Sequence, residues 1–499
     1  MKRTVTYLIV AGLLSCFFPA YSQSFAKQGV FIDSSGSVMT GKAQGWCVKT
    51  DGSDNIYFIG SYEEAAAHGF LQLDNQLMPI VPGEKNICIL KLNSSGVAVW
   101  SKTIQGLTDN KLFVADLDLD SNGNIFVAGL FAGKVDLNPD AGVANLTSTG
   151  SGQNVFLLKL KNDGSFEWVK HFKAVDATGK SFLNPAVAAS ADGVVIGGSF
   201  EGKIDLDPGF GINIATSAGN NDIFIVKLNQ TGGVLWSRHI GGSNVGGENG
   251  FGDNVTDVIM DRDKNIWVTG DFWGNVDFDP GDGIDFLTLG GSYVLKLDSS
   301  GNHLLAKKFT GGVPYKLGLD QNLNVFVTGS FKDSVDFDPS ANVFNLDAGN
   351  NIHTFVVSLT PLGIFRWAKH LGTDGGWVFP SSIAVNASGV YVAGGFTYTQ
   401  DFNPDAGVFN LNSAGSDDIY LVKLTTTTGA FQWAKHIGSG LMDTSLSVAL
   451  DLSGNLITTG YFQGKVDFNP NAGIVFLDSS LPTSHRQLYV LKMKTDGTF

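Results

Sequence analysis

The feature that most constrains this chain is a tryptophan that returns at Trp100, Trp168, Trp236, Trp367 and Trp433, with Leu305 holding the remaining place. Each stands in a segment of one kind, such as VWSKTIQG, LWSRHIGG and QWAKHIG, and the successive spacings are 68, 68, 69, 62 and 66 residues. A unit of that length made of short apolar runs cannot keep its own faces from water, so its copies must stack on one another.

A second landmark ends on an aromatic residue after a strand, a turn and a strand: DSNGNIFVAGLF at Phe131, KNIWVTGDF at Phe272, LNVFVTGSF at Phe331 and SGNLITTGYF at Phe462, with GSDNIYFIGSY at Tyr62 as a degenerate first member. A third apolar run (NVFLLKL, DIFIVKL, DIYLVKL) and a tight turn lead to the tryptophan. Each unit therefore reads as four strands, A to D, with an Asn-Gly type turn between A and B and a long connection between B and C. The 63 glycines and the low share of charged residues, 16%, agree with an all-β chain of many short turns.

Four-stranded units that repeat and must hide their sheet edges predict radial closure into a β-propeller. The expected blades run 42–106, 112–174, 185–242, 254–311, 315–373, 381–439, and 444–499 together with 24–31. The split of the last blade follows from the ends of the chain. The final Asp496-Gly497-Thr498-Phe499 aligns with Thr428-Gly429-Ala430-Phe431, and Ser24 to Gln28 aligns with Gln432 to His436. The N-terminal segment is thus expected to complete the seventh blade, giving a single domain over 23–499.

The copies at Asp120–Gly129 and Asp451–Gly460, which read Asp-x-x-Gly-Asn followed by a strand that ends in Gly, resemble the seven-bladed β-propeller repeats of bacterial secreted and surface proteins. The resemblance spans nearly all of the chain after residue 22. It implies the architecture and an extracytoplasmic place, and leaves activity open, because propellers serve binding, catalysis and scaffolding alike.

Residues 1–22 open with Lys2 and Arg3, run apolar from Tyr7 to Phe18 and end on Ala20-Tyr21-Ser22, the pattern of a cleaved secretory signal. The protein is expected to be secreted or at the cell surface. A lipobox at Leu13-Leu14-Ser15-Cys16 is the less favoured alternative, since Leu14 is bulky. No later segment reaches the roughly 18 to 20 unbroken apolar residues of a membrane helix. Cys47 and Cys88 fall two strands apart and are expected as buried free thiols. The formal charge of −14 excludes a nucleic-acid face. It permits cations, glycans or another surface protein as partners of a chain expected to be monomeric.

The repeated run DLNPDAG at 136, with DFDPGDG at 277 and DFNPDAG at 401, lies in the B–C connection. Carboxylates at alternate positions of a tight loop suit calcium, which nominates Asp277, Asp279, Asp282, Asp136, Asp140, Asp401 and Asp405. Asp or Asn before Pro is equally a turn device, and that reading explains the run without a cation. His171, His239, His370 and His436 recur on strand D in different blades, so they read as packing residues.

Aromatic and acidic residues that break the repeat are the expected ligand-binding positions: Trp273, Trp377, Asp253 and Asp374. Asp253, Glu248 and Asp374 are the acids from which catalysis would be drawn, yet none of the familiar hydrolase, metalloprotease or nucleotide-binding motifs is present. The chain reads first as a non-enzymatic binding scaffold for a glycan or protein. A carbohydrate-active hydrolase or lyase and a structural module of a larger surface assembly are the alternatives.

Overall fold

The computed structural model describes residues 24–32, 35, 37–63, 69–81, 84–106, 111–150, 152–175, 183–242, 252–479 and 485–499. The signal segment at 1–22 and Glu248 lie outside the described residues. The chain is all-β, with no helix among the described residues, so none is long and apolar enough to cross a membrane.

Seven sheets each contain one complete set of strands A, B, C and D, paired antiparallel in that order. They lie within 42–104, 111–174, 183–240, 257–309, 313–371 and 378–437, and the seventh joins Thr444–Leu450, Asn455–Phe462 and Gln487–Lys494 to Phe25–Gln28. In that last sheet Phe25 lies opposite Lys492 and Gln28 opposite Tyr489. The outer strand is therefore donated by the N-terminal segment, as the alignment of the chain ends predicts. After Gln28 the chain leaves: Val30–Ile32 pairs with Phe70–Leu73, which pairs in turn with Gln76–Pro79 in a small separate sheet.

Strands B and C are buried on both faces, because each sheet is sandwiched between two others. Among the described residues seven apolar clusters result, each shared by two neighbouring sheets. One of them joins Ile56, Phe58 and Leu90 of the first sheet to Ile457 and Val490 of the last.

The repeat is legible in the contacts between sheets. Each strand-D tryptophan donates its indole N–H to a carbonyl in the C–D turn of the following sheet: Trp100 to Asn162 at 3.2 Å, Trp168 to Gln230 at 3.0 Å, Trp236 to Ser299 at 3.1 Å. The turn beneath must come close, and at Gly301 (φ +78°) a Cβ would sit 2.9 Å from the Trp236 ring, which is why glycine stands there. Phe25 plays the tryptophan's part for the last sheet, lying where a Cβ on Gly96 of the first sheet would strike it. These tryptophans are mostly half-buried and only Trp367 is fully enclosed, so they act as fasteners between sheets more than as core.

The Asp-x-x-Gly-Asn turn also has a physical reason. Asp120 Oδ1 accepts the Asn122 and Asn124 amides at 2.9 and 3.0 Å, and its Oδ2 takes the Asn124 side chain at 2.8 Å. Cys47 and Cys88 are free and buried on strands A and C of one sheet with strand B between them. Burial pushes each thiol up to about 12.

Candidate functional site

In six of the seven described sheets strand A carries a register slip, and the residue just after it occupies one equivalent place that Asp257 fills in the fourth. That place holds Cys47, Asp116, Ala186, Asp257, Lys316, Ser382 and Ser447, each opposite the residue that precedes a glycine of its strand B. Three of the seven are charged: Asp116, Asp257 and Lys316. Lys316 Nζ lies 2.8 Å from Asp257 Oδ1 and 3.6 Å from Asp116 Oδ1. Cys47 Sγ contacts Asp116 Oδ1 at 3.5 Å and the Ser447 hydroxyl at 3.9 Å. Burial alone would push the Lys316 ammonium down, but the Asp116 and Asp257 carboxylates outweigh it and hold the lysine above its ordinary range. Burial pushes Asp257 up against the pull of the same lysine.

This ion cluster separates two cavities that share Asp116 and Lys316 as walls. The narrow one, about 280 Å³, is lined by Cys47, Lys49, Ser382 and Ser447. The wide one, about 900 Å³, takes a wall residue from every one of the seven sheets, among them Trp46, Phe113, Pro185, Asp271, Tyr315, Phe379 and Ser445. Its polar groups include Gln153, Asn254, Asp271 and Asp417, and burial raises both of these carboxyls above their usual range. Flat rings beside amides and carboxylates can cover an apolar ligand face while fixing its hydroxyls or amides.

The sequence-predicted ligand residues are dispersed. Trp377 lines the wide cavity and meets Phe379 edge-on with centroids 5.0 Å apart. Trp273 is 48% exposed beyond the end of its strand B, away from the cavity wall. Asp253 is 3% exposed and clasps backbone: its Oδ2 accepts Gly242 N–H at 3.0 Å and its Oδ1 accepts Trp273 N–H at 3.1 Å. Burial lifts that carboxyl to about 7. Asp443 makes the same clasp in the last sheet, to Ser439 and Gln463, and is lifted to about 6. Asp374 is exposed and takes the Asn351 side chain at 3.1 Å.

The acidic B–C runs are not at the cavity. Each is held in a two-stranded hairpin, and at one junction Lys173 and Ala174 of strand D pair with Asp205 and Ile204 of the next sheet's hairpin. Asp140 takes Lys102 of the preceding sheet at 2.5 Å and the Phe166 amide at the start of its own strand D at 2.8 Å. Asp405 repeats this with Lys369 at 2.7 Å and Phe431 at 2.9 Å. In the turn itself Asp136, Asp277 and Asp401 each accept two backbone amides through Oδ1, and Asp279 accepts Gly281 N–H at 2.8 Å. Asp282 lies exposed at its tip. Among the described residues no three His, Cys, Asp or Glu side chains converge as a metal ion would require. The strand-D histidines pair with strand C of their own sheet, His239 with Asp222 at 2.6 Å and His436 with Asp418 at 2.5 Å.

No family model matches the chain. It is similar to an uncharacterized WD repeat-containing protein of Acanthamoeba polyphaga mimivirus, 24% identical over 461 residues, covering 75% of this chain. The chain spans about a third of that relative, 32% of its length. Among solved structures it resembles the quinohemoprotein alcohol dehydrogenase from Comamonas testosteroni, with a TM-score of 0.41, 10% identity and coverage of 92% of this chain and 75% of that one. It also resembles the Dos1 propeller, with a TM-score of 0.39, 8% identity and coverage of 94% and 95%.

Proposed function

We propose that the seven sheets close into a seven-bladed β-propeller, the last blade completed by Phe25–Gln28, and that the protein is an exported, non-enzymatic scaffold that binds a glycan in the wide cavity. The observation that carries this reading is one cavity of about 900 Å³ walled by residues of all seven sheets. Closure is further supported by hydrogen bonds between first and last sheets, Val48 N–H to Ser447 Oγ at 3.1 Å and Thr50 Oγ1 to the Leu450 carbonyl at 2.7 Å. Export rests on the charged and apolar pattern of residues 1–22. The glycan assignment rests on Trp46, Tyr315, Trp377 and Phe379 standing beside Asn254, Gln153 and Ser445.

A glycan array on the chain from Ser24 to Phe499 tests it. A selective hit that weakens about tenfold or more in Trp377→Ala is expected, stacking contacts being worth about 1 kcal/mol each beyond their buried area. A blank array together with capture of a protein ligand at the same face would replace the glycan by a protein. A second reading, hydrolysis, is favoured by the raised carboxyls Asp271 and Asp417 inside the cavity. Product release from a bound glycan, abolished in Asp271→Asn or Asp417→Asn, would establish it.

A further inference from the structure

In a chain of net charge −14, three cations converge on one pocket of about 370 Å³ between the first and last sheets: Lys42, Lys85 and Arg486. Glu63 is the one carboxylate in its lining, and it sits 3.9 Å from Lys42 with both side chains about half exposed, a pairing of little worth in water. Lys85 Nζ lies over Phe113, 4.3 Å from the ring centroid, and 5.6 Å from that of Trp46. The Arg486 guanidinium lies 4.2 Å over Tyr461 and donates to Met442 Sδ at 3.3 Å. Neither has a carboxylate within ion-pair distance among the described residues. Burial lowers the Lys85 ammonium against the weaker opposing pull of the Glu63 carboxylate.

The three rings that carry these cations, Trp46, Phe113 and Tyr461, are themselves walls of the wide cavity. Anion recognition and ring stacking therefore lie on two sides of the same aromatic residues. A guanidinium fork takes a carboxylate through two parallel N–H bonds, and an adjacent ammonium adds point charge.

We propose that this pocket holds the carboxylate of a uronic acid whose sugar ring lies in the neighbouring cavity, an inference that rests on reading that cavity as a glycan site. The ligand is then an acidic polysaccharide, and neutral sugars bind through the aromatic wall alone.

Calorimetry with oligogalacturonate and with its methyl ester, on the full chain after Ser22, tests it. The acid form is expected to bind about tenfold tighter at low salt, with the gap closing near 0.5 M NaCl. The double variant Lys85→Met, Arg486→Met should bind acid and ester alike at unchanged melting temperature, while Lys85→Arg keeps the preference. Equal binding of acid and ester by the unaltered protein would overturn the anion pocket and leave the glycan reading standing. Binding of neither would overturn both, and tighter binding of an acidic peptide or a sulfated sugar would overturn the uronate assignment.

Discussion

The inner wall and the outer rim are built from the same seven-fold repeat, yet they obey it differently. On the rim the repeat is better kept: tryptophans seat on the next sheet's turn, and at Asp140 and Asp405 a hairpin ties two adjacent D strands in the same way. On the inner wall one equivalent place holds a thiol, two carboxylates, an ammonium, two hydroxyls and a methyl group. Contacts between sheets need the same geometry at every junction, so the rim tolerates little variation. A cavity needs only its sum of shapes and charges, so its residues are free to diverge.

The largest effect should come from the one junction the chain makes out of its own two ends. Deleting residues 24–29 exposes strand C of the last sheet along Tyr489–Lys492 and removes Phe25 from Gly96. The single melting transition of the intact chain is expected to split or vanish, with edge-driven association visible by light scattering. A truncated chain that melts like the intact one would end the closure model.

On the inner wall, Lys316→Met leaves Asp116 and Asp257 facing one another without a cation. A cost of about 3 to 5 kcal/mol at pH 7.5 is expected by denaturant unfolding, as for a broken buried pair. The loss should shrink at pH 5, because burial already raises the Asp257 carboxyl and losing the lysine removes the charge that holds it down. A loss equal at both pH values would mean that the lysine matters for packing alone.

The Asp253 clasp sits between the two regions and is sharpened by pH. Its carboxyl is lifted to about 7 in the folded chain, so the folded state holds that proton more tightly than the unfolded one. The resulting stability is complete below about pH 4 and is lost as pH rises through about 7, a contribution of about 2 to 4 kcal/mol. Asp253→Asn should flatten this part of the stability profile between pH 5 and 8, leaving the smaller slope due to Asp443. An unchanged slope would contradict the lifted carboxyl.

The smallest effect belongs to the rim. Asp282→Asn, at an exposed turn tip, should change stability by less than about 0.5 kcal/mol, and millimolar calcium should leave the melting temperature of the intact chain where it was. A calcium-dependent rise, abolished by Asp277→Asn, would turn the hairpins from braces into ion sites.

Most of the rim was legible in the sequence, because a feature copied six or seven times announces itself through register: the strands, the Asp-x-x-Gly-Asn turns and the donated strand at Phe25 all follow from alignment of the chain with itself. The place of the B–C hairpin was not legible, since nothing in DLNPDAG says whether the loop lines the cavity. The detour of Val30–Ile32 to Phe70–Leu73 escaped for the opposite reason, being unrepeated. Of the expected ligand residues Trp377 reached the cavity, and Asp253 proved to tie backbone segments together. The ion cluster was missed although a signal existed. Aligning strand A against the fourth residue of strand B would have put Asp116, Asp257 and Lys316 in one column, but the register slip hides that column from a period of two.

The donated strand also sets the order of events in synthesis. Gln28 bonds through its side chain to the Asp478 carbonyl, 450 residues away, so Phe25–Gln28 must wait for a strand made long after it before it can pair. Local hairpins can form as each unit emerges, but joining the ends is a long-range step of the kind that slows folding. Until then the first strand and the last sheet are open partners for other copies. A nascent chain stalled before Gln487 would carry Phe25–Gln28 without the strand it pairs with, and its fate would depend on whatever occupies that segment in the meantime.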